Sequence, residues 1–316
     1  TLVMRIGVDV MGGDFAPDAV VSGAVLALNH LSADERIVLF GNQEIIVNLL
    51  QKEGVSPDNF DIIHTSEVIE MGDNPSKSFA KKTDSSIVKG FMALAAGKID
   101  GFASAGSTGA MMVGAMMVVK QIPGVIRPAI AGFIPVSEKK VNLLLDVGLN
   151  PDCRPDVLYQ YGILGSIYAK QVFGIENPRI SLLSIGEEEE KGNLVTKSAF
   201  EMMKDSADFN FVGNVEGHHL FHDKKADVVV CDGFVGNVVL KQAEAFYHIL
   251  TKVNPDNKFN ERFNSENYGG TPVLGVNKPV IIAHGASSPK AIMNMIIQTR
   301  EVISSQLCEK IKQAFS

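Results

Sequence analysis

A chain of 316 residues is long enough to bury a large core, as one big α/β domain or as two lobes. Its formal net charge of -7 leaves no broad basic field for phosphates, which argues against a nucleic-acid partner. Its composition, 46% hydrophobic and 21% charged, is that of a soluble globular protein, and three scattered cysteines (Cys153, Cys231, Cys308) fit a reducing cytosol better than a disulfide framework or metal cluster.

Thr1-Leu2-Val3 precede Met4 and read as a leftover extension; no signal-peptide pattern is present. From there short β-rich runs alternate with helical apolar spacing. The pattern predicts strand 5–10, helix 17–31, strand 36–41, helix 43–52, strand 61–64, helix 85–96, strand 100–104 and helix 109–120. It continues with strands 130–135 and 141–146, helix 155–172, strand 180–185 and helix 193–204. Strands 209–213 and 227–231, helix 236–251, strand 280–284 and helix 289–314 complete it. Such alternation implies βαβ units and a mostly parallel sheet with helices on both faces. Several strands are apolar on both faces, as buried parallel strands are. Pro17, after Asp14, is a good helix-start signal.

Residues 101–119 carry no charge, but Ser104, Ser107, Thr108 and glycines interrupt the run. Strand, glycine loop and buried helix is the better reading, so any membrane role would be peripheral. The chain reads as a single domain over 4–316, with a soft boundary near 151–155 if it forms two lobes. Residues 253–267, rich in Asn and charge, read as a surface excursion.

Four glycine-bearing loops follow predicted strands, and in a parallel sheet such loops converge at the carboxyl edge. They are Gly12-Gly13-Asp14, then Gly106-Ser107-Thr108-Gly109, then Lys191-Gly192-Asn193, then Asp232-Gly233 with Gly236-Asn237. Glycines let backbone approach an oxyanion closely, and Ser107, Thr108 and Asn237 add side-chain donors. Singly, each is ordinary turn chemistry. Lys191 is the most pointed feature: a cation at a helix start opposes the helix dipole unless an anion is shared there. Glu187 to Glu190 read as a favourable first-turn charge set. Asp9, Asp14, Asp146 and Asp232 end strands and read as caps and turn formers.

Neither a dinucleotide fingerprint, a P-loop nor a serine nucleophile elbow is present. Among His218, His219 and His222, the pair His218 and His222 are four residues apart, but nothing completes a metal site, so a solvated, helix-capping cluster is preferred over a metal. Lys77, Lys81, Lys82 and Lys89 form either a solvated face or a docking patch for an acidic partner. Met111, Met112, Met116 and Met117 suit a core or dimer-interface stripe better than an acyl groove.

Taken together, the stretches DVMGGDFAPDAVV (9–21), SEVIEMGDNP (66–75), KKTDSS (81–86), SAGSTGAMM (104–112), LLDVGLNPDCRPD (144–156), IGEEEEKGN (185–193), FVGNVEG (211–217), VVVCDGFVGNVVLK (228–241), YGGTPVLG (268–275) and HGASS (284–288) resemble the bacterial PlsX family of acyl-ACP:phosphate acyltransferases. The resemblance runs in order along the whole chain. It implies a three-layer α/β/α fold, similar to isocitrate and isopropylmalate dehydrogenases and phosphotransacetylases, and a homodimer. It implies transfer of a fatty acyl group from acyl carrier protein to inorganic phosphate for phospholipid synthesis, without metal or cofactor. Lys191 and Asn237 are then the catalytic residues. Gly12, Gly13, Asp14, Gly106, Ser107, Thr108, Gly109, Gly192, Asn193, Asp232, Gly233, Gly236 and His284 are the expected phosphate- and substrate-binding set. Ser107, Leu149 and Pro151 depart from the family pattern. The short, polar 253–267 segment replaces a longer helical excursion linked to peripheral membrane contact. A nicotinamide-dependent dehydrogenase of similar fold, and a non-catalytic scaffold that binds acyl carrier protein, are the alternatives.

Overall fold

A computed structural model describes residues 2–222 and 224–316. Its strands are β1 (Met4–Asp9), β2 (Glu35–Gly41), β3 (Asp61–His64), β4 (Gly101–Ser104), β5 (Ala129–Pro135), β6 (Val141–Leu145), β7 (Arg179–Leu183), β8 (Asn210–Val215), β9 (Val228–Val230), β10 (Thr271–Leu274) and β11 (Val280–Ile282). Its α-helices are α1 (Asp18–Leu28), α2 (Gln43–Lys52), α3 (Pro75–Lys81), α4 (Ser86–Ala95), α5 (Thr108–Gly114), α6 (Pro155–Gln171), α7 (Leu194–Met203), α8 (Gly233–Val253), α9 (Pro289–Ser304) and α10 (Leu307–Ala314). Helices pack on mostly parallel sheets, which is the expected three-layer α/β/α class.

The chain forms two compact units, Thr1–Gln121 with Ser265–Ser304, and Ile122–Asn264 with Ser305–Ser316. The first unit orders its strands β3-β2-β1-β4-β11-β10. All pairs there are parallel except β10 with β11. Its core is a stack of rings: Phe102 meets Phe40 and Phe91 edge-on, with centroids 5.8 and 5.2 Å apart. A β-carbon on Gly90 would sit 2.2 Å from the Phe102 ring, so glycine there lets α4 reach the sheet. The second unit orders its strands β5-β6-β9-β7-β8, antiparallel only between β5 and β6.

The division differs from the expected soft boundary near 151–155. That segment lies inside the second unit, where Asn150 is buried and Pro155 opens α6 as its first residue. Three other departures have local causes. The predicted helix 109–120 ends in a π turn, Ala115–Val119, after which Lys120 takes φ 68° and Asn277 Nδ2 donates to its carbonyl at 2.9 Å. The predicted helix 289–314 breaks ahead of α10, with Gln306 in the left-handed region at φ 54°. The 253–267 excursion contains two short 3-10 turns, Lys258–Phe263 and Ser265–Asn267. Arg262 lies over the Phe259 ring, 3.6 Å from its centroid, which ties the first of these turns together. Among the described residues no helix is long and apolar enough to cross a membrane.

Candidate active site

In the first unit the glycine loops are built around Asp9, the last residue of β1. Asp9 is 1% exposed. Its carboxylate accepts the Met11 N–H at 3.0 Å and the Ser104 hydroxyl at 2.7 Å. Ser104 Oγ in turn accepts the Gly106 N–H at 2.9 Å, so one buried acid organises the ends of β1 and β4. Burial pushes the Asp9 carboxyl above its ordinary pKa, against the pull of these bonds. A β-carbon on Gly12 would sit 2.3 Å from Asp9 Oδ2 and 2.7 Å from Gly106 Cα, so the two loops touch backbone to backbone. Gly13 has φ 121°, which side chains rarely adopt. The Asp14 N–H then donates to the Gly285 carbonyl at 2.8 Å, which brings in the loop after β11. His284 is exposed, and its Nδ1 accepts the Ala286 N–H at 3.1 Å. Ser107 Oγ accepts the Ala110 N–H at 3.2 Å as the N-cap of α5, and Thr108 beside it is exposed. Gly109 packs against Pro75, whose Cγ lies 2.4 Å from the place of a β-carbon. The residues expected of this unit therefore lie in the loops after β1, β4 and β11, or, for Thr108 and Gly109, in the first turn of α5.

In the second unit Lys191 lies two residues before Asn193, the N-cap of α7. Asn193 Oδ1 accepts the Thr196 N–H at 2.9 Å. The N–H groups of Leu194 and Val195 belong to the first helical turn and have no intrahelical acceptor. Gly192 takes φ 114°, and a β-carbon there would collide with Thr196 Oγ1 at 2.2 Å and approach Ser184 Oγ at 3.0 Å. Lys191 is exposed, and its stem runs across Gly186, where a β-carbon would meet Lys191 Cγ at 2.5 Å. The expected first-turn role of Glu187 to Glu190 is corrected here: they precede the helix and anchor the loop. Glu187 Oε1 is 2.9 Å from Lys225 Nζ and 3.1 Å from His219 Nε2, and Glu189 Oε1 is 3.1 Å from Lys204 Nζ. The Glu188 carbonyl accepts both the Lys191 N–H at 3.1 Å and Asn214 Nδ2 at 3.0 Å. This leaves a glycine-lined loop end, held at the Glu188 carbonyl, on which Lys191 is exposed.

Asn237 lies in the first turns of α8, which starts at Gly233, three residues earlier than predicted. Asp232 caps it by accepting the Val235 N–H at 2.8 Å. Gly233 and Gly236 are buried because α8 begins directly on Asp146. A β-carbon on Gly233 would be 2.6 Å from Asp146 Oδ2, and one on Gly236 only 1.9 Å from the Asp146 carbonyl oxygen. Asp146 is fully buried and accepts the N–H groups of Ile130 and Leu149 at 2.9 and 3.1 Å. Burial raises its pKa, as for Asp9. The turn that it shapes presents the Val147 carbonyl, to which Asn237 Nδ2 donates at 3.3 Å. One amide proton of the exposed Asn237 is thus held, and the second is free to donate elsewhere. The sequence marks Asp146 as a turn former and His219 as part of a capping cluster, and points to no role for Val147 or Asn214.

The remaining features resolve simply. The capping reading of the histidines holds through His219: its Nδ1 accepts the Glu216 N–H at 3.2 Å in a capping box over the 3-10 turn Gly217–Phe221. Glu216, His218 and His219 lie close enough to suggest a metal, but both His219 nitrogens already have partners. In the lysine group, Lys82 pairs with Asp73 and Lys89 with Asp84, each at 2.7 Å, so Lys77 and Lys81 carry what charge is left. Met111 is buried in the first unit's core and Met112 packs against it, while Met117 is 70% exposed.

A family model described as "Fatty acid synthesis protein" matches residues 4–310. A phosphate acyltransferase of Halothermothrix orenii is 44% identical over 330 residues, covering 98% of each chain. One of Caldanaerobacter subterraneus is 39% identical over 329 residues, covering 98% of this chain and 97% of its own. Both alignments exceed the 316 residues here, so these relatives carry residues with no counterpart in this chain. Among solved structures, the EutD phosphotransacetylase from Staphylococcus aureus is similar with TM-score 0.64 at 16% identity, over 96% of this chain and 94% of its own. A branched-chain phosphotransacylase from Enterococcus faecalis gives TM-score 0.65 at 14% identity, over 95% and 99%. At such identities the likeness is one of fold.

Proposed function

The chain belongs to the fatty acid synthesis protein family of phosphate acyltransferases, and from that membership we propose that it transfers a fatty acyl group from acyl carrier protein to inorganic phosphate, for phospholipid synthesis. It is an acyltransferase. In the proposed reaction a phosphate oxygen attacks the thioester carbonyl carbon. The new C–O bond forms, the C–S bond breaks, and the thiolate leaves and is protonated. Phosphate is a weak nucleophile unless it is held in place, so positioning and charge stabilisation supply most of the rate.

Lys191 holds the phosphate, together with the N–H groups of Leu194 and Val195 at the positive end of α7, beside Gly192 and Asn193. The observation that carries this reading is the lysine-bearing loop ahead of that helix, in which Lys191 is exposed while Lys225 and Lys204 are paired with Glu187 and Glu189. Asn237, oriented by Val147, donates its second amide proton to the carbonyl oxygen as it gains charge. Asp232, Gly233 and Gly236 set the place of Asn237. In the first unit Gly12, Gly13, Asp14, Gly106, Ser107, Thr108, Gly109 and His284 take the substrate-binding roles. Lys77 and Lys81 suit contact with an acidic carrier protein.

The protein works as a homodimer, and α8 supports that reading. Phe234, Val238, Phe246, Ile249 and Val253 are all exposed and fall within an arc of roughly 120° on the helix. The cell compartment is the cytoplasm, with peripheral membrane contact.

The test mixes the protein with palmitoyl-acyl carrier protein and labelled phosphate and follows acyl phosphate together with free carrier thiol. Phosphate-dependent thiol release that is lost in folded Lys191→Ala and Asn237→Ala variants is the expected result. Release that ignores phosphate would indicate a thioesterase, and no release at all would favour a scaffold.

A further inference from the structure

The turn between β6 and α6, residues 146–150, holds the start of α8 at two points. The Asn150 carbonyl accepts the Gly233 N–H at 2.7 Å, and the Val147 carbonyl accepts Asn237 Nδ2 at 3.3 Å. Between them Gly148 has φ 143°, and a β-carbon there would sit 3.2 Å from Asn237 Nδ2, so the amide lies against bare backbone. The near end of the turn is fixed by its neighbours in the sheet. The Asp146 N–H donates to the Cys231 carbonyl and the Val147 N–H to the Ile130 carbonyl, each at 3.0 Å. The far end lies outside any strand. Its N–H donates to the Asp146 carboxylate, and its anchor is the buried side chain of Asn150. Asn150 Nδ2 donates to the Pro128 carbonyl at 2.7 Å and to the Tyr161 hydroxyl at 2.6 Å. Tyr161 belongs to α6 and Pro128 directly precedes β5, so one buried amide ties the turn to a helix and a strand.

We propose that Asn150 is a positioning residue for Asn237: its side chain fixes the 146–150 turn, and that turn aims the Asn237 amide at the reacting carbonyl. The inference rests on the reading of Asn237 as the donor to the developing oxyanion. A carbonyl directs its donor only as well as its own peptide plane is held. An exposed asparagine otherwise rotates about its side-chain bonds and offers its second proton in no fixed direction. An oxyanion donor has to be in place before the charge develops, and a displacement of about 1 Å costs up to about 100-fold in rate. Asp146 is no clean probe of this, because its carboxylate binds several buried N–H groups that its loss would leave unpaired. Asn150 is separable: without its side chain the Tyr161 hydroxyl still has the Pro128 carbonyl to donate to, 3.5 Å away.

The variants are Asn150→Ala, Tyr161→Phe, Asn237→Ala and the Asn150→Ala/Asn237→Ala double variant. Thiol release from palmitoyl-acyl carrier protein is measured with phosphate and thioester each varied. The expected result is a fall of about tenfold in kcat for Asn150→Ala, with both KM values native, because the lost interaction belongs to the transition state. Tyr161→Phe, which keeps the Pro128 bond, should lose less. In the Asn237→Ala background Asn150→Ala costs nothing further, whereas a general loss of folded protein would carry through. Hydrogen exchange reads the turn without substrate: it should quicken across residues 232–238 in Asn150→Ala and Tyr161→Phe and stay native across α7. Native exchange across 232–238 overturns the proposal whatever the kinetics. So does a native kcat in Asn150→Ala while Asn237→Ala lowers it, and so does a fall that persists in the double variant. Quickened exchange with a native kcat in Asn237→Ala overturns instead the reading of Asn237, and with it the link to the oxyanion. Should Asn150→Ala fail to fold, Tyr161→Phe, alone and paired with Asn237→Ala, decides on the same readouts.

Discussion

Gly186 matters through what it lacks: the stem of Lys191 lies where its β-carbon would be. Gly186→Ala should displace the lysine while leaving the fold intact, raising phosphate KM by about tenfold in steady-state kinetics. Gly192→Ala is a different kind of lesion. At φ 114° with Thr196 against it, alanine is strained in the folded chain, and urea unfolding should show a loss of about 1–2 kcal/mol. The residues that bear on these predictions were only partly legible in sequence. Lys191 and Asn237 stood out because glycines and strand ends flag loops locally. Asn214 and Val147 did not, because each acts on a partner that only folding brings near. The same holds for the glutamates, read as belonging to a helix that in fact begins four residues after Glu190.

At the scale of elements, strong periodicity was read correctly and weak periodicity was missed. β3 and α2 have the predicted bounds, Asp61–His64 and Gln43–Lys52. β10 was overlooked because Pro272 lies inside it and cannot donate to a ladder, yet it pairs with Ile281 of β11. α3 is one charged, seven-residue helix with Pro75 at its start, too short to show a face. The break before α10 is marked by Gln306, whose left-handed conformation is unfavourable for a residue with a side chain. One seam carries an acid-sensitive prediction. Asp227, ahead of β9, accepts Arg179 at 3.0 Å and Lys140 at 2.8 Å. Burial alone would raise its pKa, but these two cations hold it at about 2 against an ordinary 3.8. The folded pKa is the lower one, so the stabilisation is present above about pH 4 and is lost as pH falls towards 2. Asp227→Asn should cost about 2 kcal/mol in urea unfolding at pH 7, and the difference should close by pH 2.

For the whole molecule, the units could not be delimited from the sequence because each is assembled from separated segments. Linker composition marks a boundary only when the chain crosses it once through a flexible stretch. The units nonetheless repeat one device. Each places a buried aspartate at the end of a strand or just after it, Asp9 in β1 and Asp146 after β6, and seats a glycine directly on it, Gly12 or Gly233. The exposed apolar face of α8 belongs to this scale too. Replacing Phe246 and Ile249 with glutamate should convert the proposed dimer to a monomer in light scattering, without loss of helix by circular dichroism.

The contact of Gly12 with Gly106 also constrains inheritance. A β-carbon on Gly12 would sit 2.7 Å from Gly106 Cα and one on Gly106 3.1 Å from Gly12 Cα, so a methyl group at either position requires the facing backbone to give way. A library randomised at both positions and selected for growth in a host that depends on this protein should return glycine twice. Gly72 and Gly217, where a β-carbon would meet nothing within 4 Å, should drift freely in the same selection.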